Sequence, residues 1–187
     1  CLVSMKQRIR ENYLKIRKKK YFELSQKNKI FLSKQINKLC KKYKINKLAL
    51  YCPINYELNI LSAIVELKIK KIQICLPVIE KKNNMSFKEW KIKEPFHINR
   101  IGILEPNYKN KKVNPQMILV PLVAFDQFKN RIGYGKGFYD LFLNKFSKRK
   151  NILSVGIAFA FQKRNIIPEE KHDKKLNYIL TEKSIVY

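Results

Sequence analysis

"MILVPLVAFDQFKNRIGYGKGFYD", Met117 to Asp140, runs from an apolar stretch through a glycine-rich loop to the start of a helical pattern. MILVP is short and continuously apolar, which predicts a strand buried on both faces of a sheet. A connection of roughly ten residues leads to the glycines, and the segment from Tyr139 to about Lys148 has a helical pattern. This order places the loop at the carboxyl edge of a parallel sheet, where open α/β folds bind ligands.

The rest of the chain repeats this alternation of apolar strands and helices. Further strands are predicted in LALYCP (48–53), IQICLP (72–77), ILSVGIAFA (152–160), YILT (178–181) and IVY (185–187). Proline is expected to end the first two of them. MSFKEW (85–90) alternates like a half-exposed strand, and the polar segment from Lys91 to Pro115 predicts a loop with little regular structure.

Three more helices are predicted outside the glycine-rich region. They run from Met5 to about Tyr21, onward from an N-cap at Ser25, and from Leu58 to about Ile69. The second has an apolar stripe of Leu32, Ile36, Leu39, Cys40 and Tyr43. We therefore predict an α/β fold: a single-domain three-layer sandwich over residues 1–187, with a mostly parallel sheet and helices on both faces.

The composition bounds the possible partners. Lys and Arg number 41 against 14 Asp and Glu, a net charge of +27 that raises nucleic acid or anionic membranes as partners. The excess is mostly dispersed lysine and comes with heavy Ile and Asn usage, as expected from an AT-rich coding sequence. We favour drift in surface composition and expect no specific nucleic-acid partner.

Cysteine usage and hydropathy predict a cytoplasmic protein. Cys1, Cys40, Cys52 and Cys75 form no C-x-x-C pair, so buried free thiols are expected rather than disulfides or a zinc site. No apolar run approaches the ~18 residues of a membrane span, and the charged N-terminus lacks the apolar region of a signal peptide. Met5 is a candidate for the native first residue. We expect a monomer without membrane association.

The loop NRIGYGKGFYD (130–140) fits neither standard nucleotide motif. Lys136 is followed by glycine rather than Ser or Thr, which excludes a Walker A loop, and the glycine spacing is not G-x-G-x-x-G. Alternating glycines before a helix N-terminus can still cradle an anion, with Arg131 and Lys136 adding charge. Asp140 is a possible Mg²⁺ ligand. The alternative is a glycine turn in which Asp140 only caps the helix.

With its flanks, this stretch resembles the 5-formyltetrahydrofolate cyclo-ligase (5,10-methenyltetrahydrofolate synthetase) family. The resemblance extends in order along nearly the whole chain. Its other motifs are KQRIR (6–10), YCPINYE (51–57), LP (76–77), MSFKEW (85–90), GILEP (102–106), GIAFAFQ (156–162), IPEEKHD (167–173) and ILTE (179–182). Each motif alone is weak, and the ordered set is specific.

The resemblance implies an ATP- and Mg²⁺-dependent enzyme of folate one-carbon metabolism. ATP phosphorylates the formyl oxygen of 5-formyltetrahydrofolate, N10 attacks the activated carbon, and the ring closes as phosphate leaves. The products are 5,10-methenyltetrahydrofolate, ADP and phosphate. Such phosphoryl transfer asks the protein for positioning and charge neutralisation rather than a covalent nucleophile.

The resemblance also implies roles for individual residues. The predicted ATP contacts are Lys6, Gln7, Arg8, Ile9, Arg10, Arg131, Ile132, Gly133, Tyr134, Gly135, Lys136, Gly137, Phe138 and Tyr139. The predicted folate contacts are Cys52, Glu57, Tyr134, Gly135, Lys136, Gly137 and Phe138, with Glu57 anchoring the pterin. Arg131, Lys136 and Tyr139 are the expected catalytic residues. Asp140 and Asp173 are the expected Mg²⁺ ligands.

Each of these functional roles has a purely structural alternative. Lys6 and Arg10 could be ordinary solvated charges on a helix. Glu57 could be a carboxylate at a helix N-terminus, and Asp173 could be a turn residue. Trp90 fits either sheet packing or stacking on the ligand. Two alternative functions also remain: a nucleic-acid-binding protein, and a folate-binding relative without turnover.

Two departures from the family pattern stand near the glycine loop. The family commonly has glycine where Lys129 stands and arginine where Leu141 stands. The second change removes a possible phosphate or salt-bridge partner. Neither touches the nucleotide loop, so we expect an effect on efficiency rather than on activity itself.

Overall fold

A computed structural model describes residues 4–66, 71–80, 84–147, 152–170 and 173–187. The helices are α1 (Met5–Lys20), α2 (Gln26–Lys42), α3 (Ile60–Glu66) and α4 (Phe138–Ser147). The strands are β1 (Lys47–Ala49), β2 (Gln73–Ile79), β3 (Met85–Glu89), β4 (His97–Ile98), β5 (Leu104–Glu105), β6 (Met117–Pro121), β7 (Ala124–Phe125), β8 (Arg131–Ile132), β9 (Leu153–Ala158), β10 (Tyr178–Thr181) and β11 (Ile185–Val186). A short 3₁₀ helix covers Ala160–Gln162.

The main sheet has seven strands in the order β11-β10-β9-β6-β1-β2-β3. The five strands from β10 to β2 pair in parallel, and the edge strands β3 and β11 pair antiparallel. The central strand β6 is MILVP itself, buried along its first four residues because β1 and β9 flank it. Such a run of apolar side chains is what a strand covered on both faces requires.

Helices pack on both faces of this sheet. On one face, α2 and α3 contribute Leu32, Ile36 and Ile64 to a core that also contains Leu119 and Ile157. On the other face, Phe142 and Leu143 of α4 pack in a second core with Phe87, Ile118 and Val120. This arrangement confirms the predicted α/β fold with a mostly parallel sheet.

Helix α1 packs beside the small β7–β8 pair. Ile9 of α1 shares an apolar cluster with Val123, Ala124, Ile132 and Ile167. This packing carries the basic helix to the strand that leads into the glycine loop.

The predicted N-cap of α2 is confirmed, because the Ser25 hydroxyl accepts a hydrogen bond from the Asn28 amide at 3.2 Å. The prediction for Tyr43 is wrong. Tyr43 caps the C-terminus of α2 and is 41% exposed. The helix has ended there, so its apolar stripe no longer faces the core.

The prediction that proline ends β2 is also wrong, because the strand continues through Pro77 to Ile79. The carbonyl of Cys75 faces β1 and accepts a hydrogen bond from the Leu50 amide at 3.0 Å. Pro77, two residues on, faces the same side beyond the last residue of β1, where its missing N–H breaks no ladder bond. On the other side, β2 stays paired with β3.

Other elements differ from the predictions in their extent. β1 ends at Ala49, and the buried residues that follow it are not in a strand. The segment from 91 to 115 contains the β4–β5 pair, and the β7–β8 pair follows β6, with β8 at the start of the glycine loop. α3 is described to Glu66, and residues 67–70 of the predicted helix lie outside the described residues.

Cys40, Cys52 and Cys75 are buried and free, as predicted, and Cys1 lies outside the described residues. Across the described parts of the chain, no helix has the length and apolar character needed to cross a membrane.

Candidate active site

A cavity of about 370 Å³ opens at the carboxyl edge of the sheet. Its walls include Cys52, just beyond β1, and Pro121, the last residue of β6. Parallel strands leave their polar carboxyl ends and connecting loops at one edge, so residues distant in sequence meet there. The glycine loop lies at this edge, as the order of elements predicted.

The loop wraps around a side chain from α1. Gly135 and Gly137 have φ values of +88° and +68°, which favour glycine. A Cβ on Gly135 would lie 3.2 Å from Cζ of Arg10. Nε of Arg10 donates a hydrogen bond to the Gly133 carbonyl at 2.7 Å. Arg10 therefore fastens α1 to the loop, and helix α4 begins directly after it at Phe138.

One end of the cavity, here called the ion-pair end, contains Lys6, Arg131, Asp140, Glu170 and Asp173. The Lys6 ammonium pairs with Asp173 and lies 3.2 Å from Glu170. Arg131 pairs with Asp140 at 2.5 Å and donates to the Lys174 carbonyl at 2.6 Å. The predicted cations and carboxylates therefore meet in space, although the sequence separates Lys6 from Asp173 by 167 positions.

Burial and like charge set the electrostatics of this end. Desolvation raises the pKa of Asp140, and the neighbouring Asp173 raises it further, whereas Arg131 opposes both effects. Burial also lowers the pKa of Arg131, against the carboxylates that face it. A second carboxylate that disfavours the charge of Asp140 marks a place where a cation is stabilised.

Asp140 and Asp173 fit a Mg²⁺ ion in their chemistry. Within the described ranges, no group of three or more His, Cys, Asp or Glu side chains is placed to hold a metal by itself. Mg²⁺ is often held by one or two carboxylates, with water and substrate phosphates completing its shell. The hard oxygen donors of this pair meet that requirement.

The other end, here called the Glu57 end, contains Tyr51, Cys52, Glu57 and Tyr134. Glu57 is buried, and Oε2 accepts a hydrogen bond from the Ile54 amide at 2.8 Å. Burial raises the pKa of Glu57 to about 7, although the Ile54 amide, the charge of Arg17 and the Tyr134 hydroxyl lower it. Burial likewise raises the pKa of Cys52 to about 12, so its thiol is not a nucleophile at neutral pH.

Two aromatic hydroxyls also face Glu57. Desolvation raises the pKa of Tyr134 and of Tyr139, and the charge of Glu57 contributes to both shifts. Both phenols are therefore neutral hydrogen-bond donors at physiological pH. Tyr139 lines the cavity and interacts electrostatically with Glu57 at one end and with Arg131 at the other.

Arg17 of α1 does not line the cavity but contacts two residues that do, Asn55 and Tyr134, and the sequence patterns did not single it out. It is fully buried, and its guanidinium donates to the Tyr134 hydroxyl and to the Asn55 carbonyl, the latter at 2.7 Å. The sequence did hold a signal for it. Lys6, Arg10 and Arg17 are spaced by four and seven residues, which puts all three on one face of α1.

The cavity extends from Glu57 toward an apolar region that includes Ile79, Met85 and Ile103. Glu105 also lies there, buried, and accepts hydrogen bonds from the Ile79 amide and from Nδ2 of Asn99, both at 2.7 Å. Sequence reasoning quoted the GILEP motif but assigned Glu105 no role.

The predicted site residues divide into those that line the cavity and those that do not. Those in the lining are Lys6, Arg10, Cys52, Glu57, Arg131, Ile132, Gly133, Tyr134, Gly135, Lys136, Gly137, Phe138, Tyr139, Asp140 and Asp173. Gln7, Arg8 and Ile9 are not among them. Gln7 bonds to Glu11 and Arg10, Arg8 is exposed, and Ile9 is buried in the cluster beside β7.

Trp90 packs within the protein. Its ring stacks on Phe96 at a centroid distance of 5.2 Å, and Nε1 donates to the Glu94 carbonyl at 3.1 Å. It does not line the cavity, so the packing interpretation describes it better than ligand stacking.

Residues 3–182 match the model of the 5-formyltetrahydrofolate cyclo-ligase family. The chain is 33% identical to the 5-formyltetrahydrofolate cyclo-ligase of Haemophilus influenzae over 138 residues, 71% of this chain and 73% of that protein. It is 36% identical to the Mycoplasma genitalium enzyme of the same name over 118 residues, 61% of this chain and 59% of that protein. A probable 5-formyltetrahydrofolate cyclo-ligase of Schizosaccharomyces pombe is 34% identical over 50% of this chain, and the match spans only 52% of that relative.

The structural match is more extensive than these sequence alignments. The NMR structure of Aquifex aeolicus 5,10-methenyltetrahydrofolate synthetase superposes with a TM-score of 0.73 at 30% identity, covering 97% of this chain and 92% of that one. A 5,10-methenyltetrahydrofolate synthetase from Mycoplasma pneumoniae shares the fold, with a TM-score of 0.67 at 24% identity over 96% of this chain and 99% of that one.

Proposed function

The chain belongs to the 5-formyltetrahydrofolate cyclo-ligase family, and we propose that it converts 5-formyltetrahydrofolate to 5,10-methenyltetrahydrofolate with ATP and Mg²⁺, releasing ADP and phosphate. One observation carries the proposal. A single cavity joins a glycine loop beside paired cations and carboxylates to a buried carboxylate in an aromatic wall. These are the features that a polyphosphate and a pterin would each need.

The nucleotide is assigned to the glycine loop and the ion-pair end. Loop amides and the N-terminus of α4 favour negative charge, and Lys136 can reach a phosphate as a mobile point charge. Arg10 lies against Gly135, and Lys6 lines the same cavity, paired with Asp173. Both cations already have protein acceptors, so phosphate oxygens would exchange with those partners.

The pterin is assigned to the Glu57 end. A carboxylate can accept two hydrogen bonds, from the amino group and from a ring N–H of the pterin. Because the pKa of Glu57 is about 7, the carboxyl changes charge near neutral pH, and a ligand that donates two bonds favours the ionised form. Cys52 and Tyr134 supply flat or apolar contacts around it.

The reaction needs positioned charge between these two ends. The γ-phosphoryl group passes to the formyl oxygen, N10 bonds to the formyl carbon, and the carbon–oxygen bond breaks as phosphate leaves. Arg131 stabilises negative charge on the transferred group, and the neutral Tyr139 hydroxyl can donate a hydrogen bond there. Mg²⁺ held by Asp140 and Asp173 would neutralise phosphate charge when bound.

An absorbance assay tests this function directly. Purified protein with 5-formyltetrahydrofolate and MgATP should generate the methenyl chromophore, and omission of ATP should abolish the signal. ADP and phosphate should appear in equal amounts with the chromophore. No absorbance rise with any nucleotide would reject the proposal, and folate binding without ATP hydrolysis would identify a relative that lacks turnover.

A further inference from the structure

Arg17 is an unusual residue to find in a protein interior. It is fully buried, and its guanidinium donates to two carbonyls, those of Asn55 at 2.7 Å and Leu122 at 3.3 Å, and to the Tyr134 hydroxyl. Its Nε has no hydrogen-bond partner. Burying a cation against neutral acceptors is costly, and an apolar side chain of similar length would pack there at lower cost. Packing alone does not account for an arginine at this position.

The groups that Arg17 holds lead to Glu57 by two routes. In the first, the Arg17 guanidinium lies over the Tyr134 ring, 5.2 Å from its centroid, and donates to the hydroxyl. That hydroxyl faces the Glu57 carboxylate and lowers its pKa. Arg17 therefore fixes the position of the Tyr134 ring, and with it the hydroxyl that stabilises the ionised form of Glu57.

The second route runs through the backbone before Glu57. Asn55 and Tyr56 have φ values of +47° and +63°, two consecutive left-handed residues with side chains. Such a turn is strained and persists only where surrounding contacts hold it. Arg17 binds the Asn55 carbonyl, and the Tyr21 ring packs edge-on against Tyr56 at 5.7 Å. Both contacts come from the C-terminal part of α1 and the residue after it.

We propose that Arg17 is a positioning residue of the folate site, whose guanidinium orients the Glu57 carboxylate by holding both Tyr134 and the Asn55–Tyr56 turn. The inference rests on the proposed function, because it assigns the pterin to Glu57. It gives α1 two separate tasks. Its first half meets the nucleotide loop through Arg10, and its second half sets the folate end through Arg17.

Arg17 also influences the charge of Glu57. Its positive charge lowers the pKa of that carboxyl against the larger effect of burial. The titratable groups that face Glu57 come from α1, from the segment after β1, from the glycine loop and from α4: Arg17, Tyr51, Cys52, Tyr134 and Tyr139. Arg17 is the one cation in that set. Its loss should therefore move the pH dependence of folate binding to higher pH.

The test compares Arg17→Met, Arg17→Lys and Tyr134→Phe with Lys18→Met, which removes an exposed charge from the same helix. Dissociation constants for 5-formyltetrahydrofolate and for MgATP are measured separately, the first from pH 5 to pH 9, with thermal unfolding recorded for each variant. Arg17→Met should weaken folate binding by about tenfold or more, the loss expected for a charged hydrogen-bond network. Its pH midpoint should rise by about one unit.

The other variants separate orientation from stability. MgATP affinity should stay within about twofold in Arg17→Met. Lysine keeps the charge but cannot span three acceptors, so Arg17→Lys should retain the pH midpoint with weaker folate binding. Tyr134→Phe removes only the linking hydroxyl and should lose about threefold in folate affinity. Arg17→Met should then lower folate affinity less in the Tyr134→Phe background than in the wild-type background.

The outcomes distinguish this inference from the function on which it rests. If the wild type binds no 5-formyltetrahydrofolate, the proposed function fails and the inference with it. If the wild type binds and Arg17→Met matches it in affinity and pH midpoint, only the inference fails. Equal losses of folate and MgATP affinity would assign Arg17 a purely structural role. Should Arg17→Met not fold, the folate affinities of Arg17→Lys and Tyr134→Phe decide: losses in both support the inference, and wild-type affinity in both overturns it.

Discussion

The two ends of the cavity hold charge by different means. At the ion-pair end, Lys6 and Arg131 face carboxylates that are themselves partly exposed, at 35% for Asp173 and 41% for Asp140. At the Glu57 end, the carboxylate is buried and its pKa is displaced to about 7. The cations of the first set are largely buried, but its carboxylates retain contact with solvent, so they can exchange partners when a ligand enters. The second set is shielded, so a change in one neighbour alters protonation.

This difference suits the two substrates assigned to the cavity. A polyphosphate brings several charges and its own cation, and it needs partners that can be displaced. A pterin is flat and uncharged, and it needs a fixed hydrogen-bond acceptor in a water-poor wall. If the two ends are separable in this way, a substitution at one end should leave binding at the other end unchanged, and the largest effect is expected at Asp140.

Asp140→Asn should lower kcat by about 100- to 1000-fold, because it removes charge from the carboxylate pair at the ion-pair end. Affinity for 5-formyltetrahydrofolate measured without nucleotide should be unchanged. Glu23→Gln, a carboxylate outside the cavity lining, is the control for surface charge. Circular dichroism checks that the variant folds. A near-normal kcat in Asp140→Asn would show that Asp140 does not hold the metal.

The stability of the protein should depend on pH through Glu57. Its pKa is raised from 4.5 to about 7 by burial, so the folded state holds this proton more tightly than the unfolded chain. The associated stability is fully present below pH 4.5 and is lost as the pH rises to about 7. Relative to Glu57→Gln, the free energy of unfolding of the wild type should fall by about 3 kcal/mol across that window.

Urea titrations of both proteins at several pH values measure this difference. Glu94→Gln is a matched control of opposite sign, because hydrogen bonds from Asn110 and from the Lys91 amide lower the pKa of Glu94. The contribution of Glu94 to the free energy of unfolding is present at neutral pH and is lost as the pH falls. A flat difference between wild type and Glu57→Gln would mean that Glu57 is ionised in the folded protein throughout.

Glu57→Ala and Lys136→Ala should separate the two substrates. Glu57→Ala should raise the KM for 5-formyltetrahydrofolate by about 30-fold, from the loss of two hydrogen bonds to a charged acceptor. Lys136→Ala should raise the KM for ATP by about tenfold, from the loss of one exposed phosphate contact. Steady-state kinetics with each substrate varied in turn provide the measurement. An exchange of these phenotypes would reverse the proposed orientation of the site.

Lys129→Gly should stabilise the protein by about 1 kcal/mol, because Lys129 has a left-handed backbone that favours glycine. Its φ is +66°, and its carbonyl accepts a hydrogen bond from the Leu176 amide at 3.1 Å, which fixes the turn. Lys163→Gly is the control, since that exposed lysine has an ordinary φ of −70° and glycine should destabilise it. Thermal unfolding measures the change in stability of both variants. Changes of the same sign would rule out backbone strain at Lys129 as the cause.

Lys129 is itself one of the two departures from the family pattern. The family resemblance leads us to expect glycine there, and this chain keeps the left-handed turn with a strained lysine. The other departure, Leu141, is 58% exposed and does not line the cavity. Neither position removes a group that lines the proposed site, and an effect on efficiency rather than on the reaction itself stays a prediction.

The elements with strong local patterns were predictable from the sequence. MILVP, the cap at Ser25 and the helix after the glycine loop each depend on neighbours within a few residues, and the structure contains all three. The end of β2 was not predictable in the same way. Whether a proline interrupts a ladder depends on where the neighbouring strand stops, which is a property of the sheet.

The candidate site divides along the same line. The sequence was enough to recognise the residue types, the glycine spacing and the helical repeat of Lys6 and Arg10. A loop and one face of a helix each depend only on residues that are close in sequence. The pairing of Lys6 with Asp173, the burial of Arg17 and the displaced pKa of Glu57 arise from segments that meet only after folding. The energy of a charge depends on its distance to other charges and on its loss of solvent, and both are set in three dimensions. A pattern along the chain can therefore indicate residue types and candidate positions. The packing of α1 against the sheet edge decided how these side chains interact.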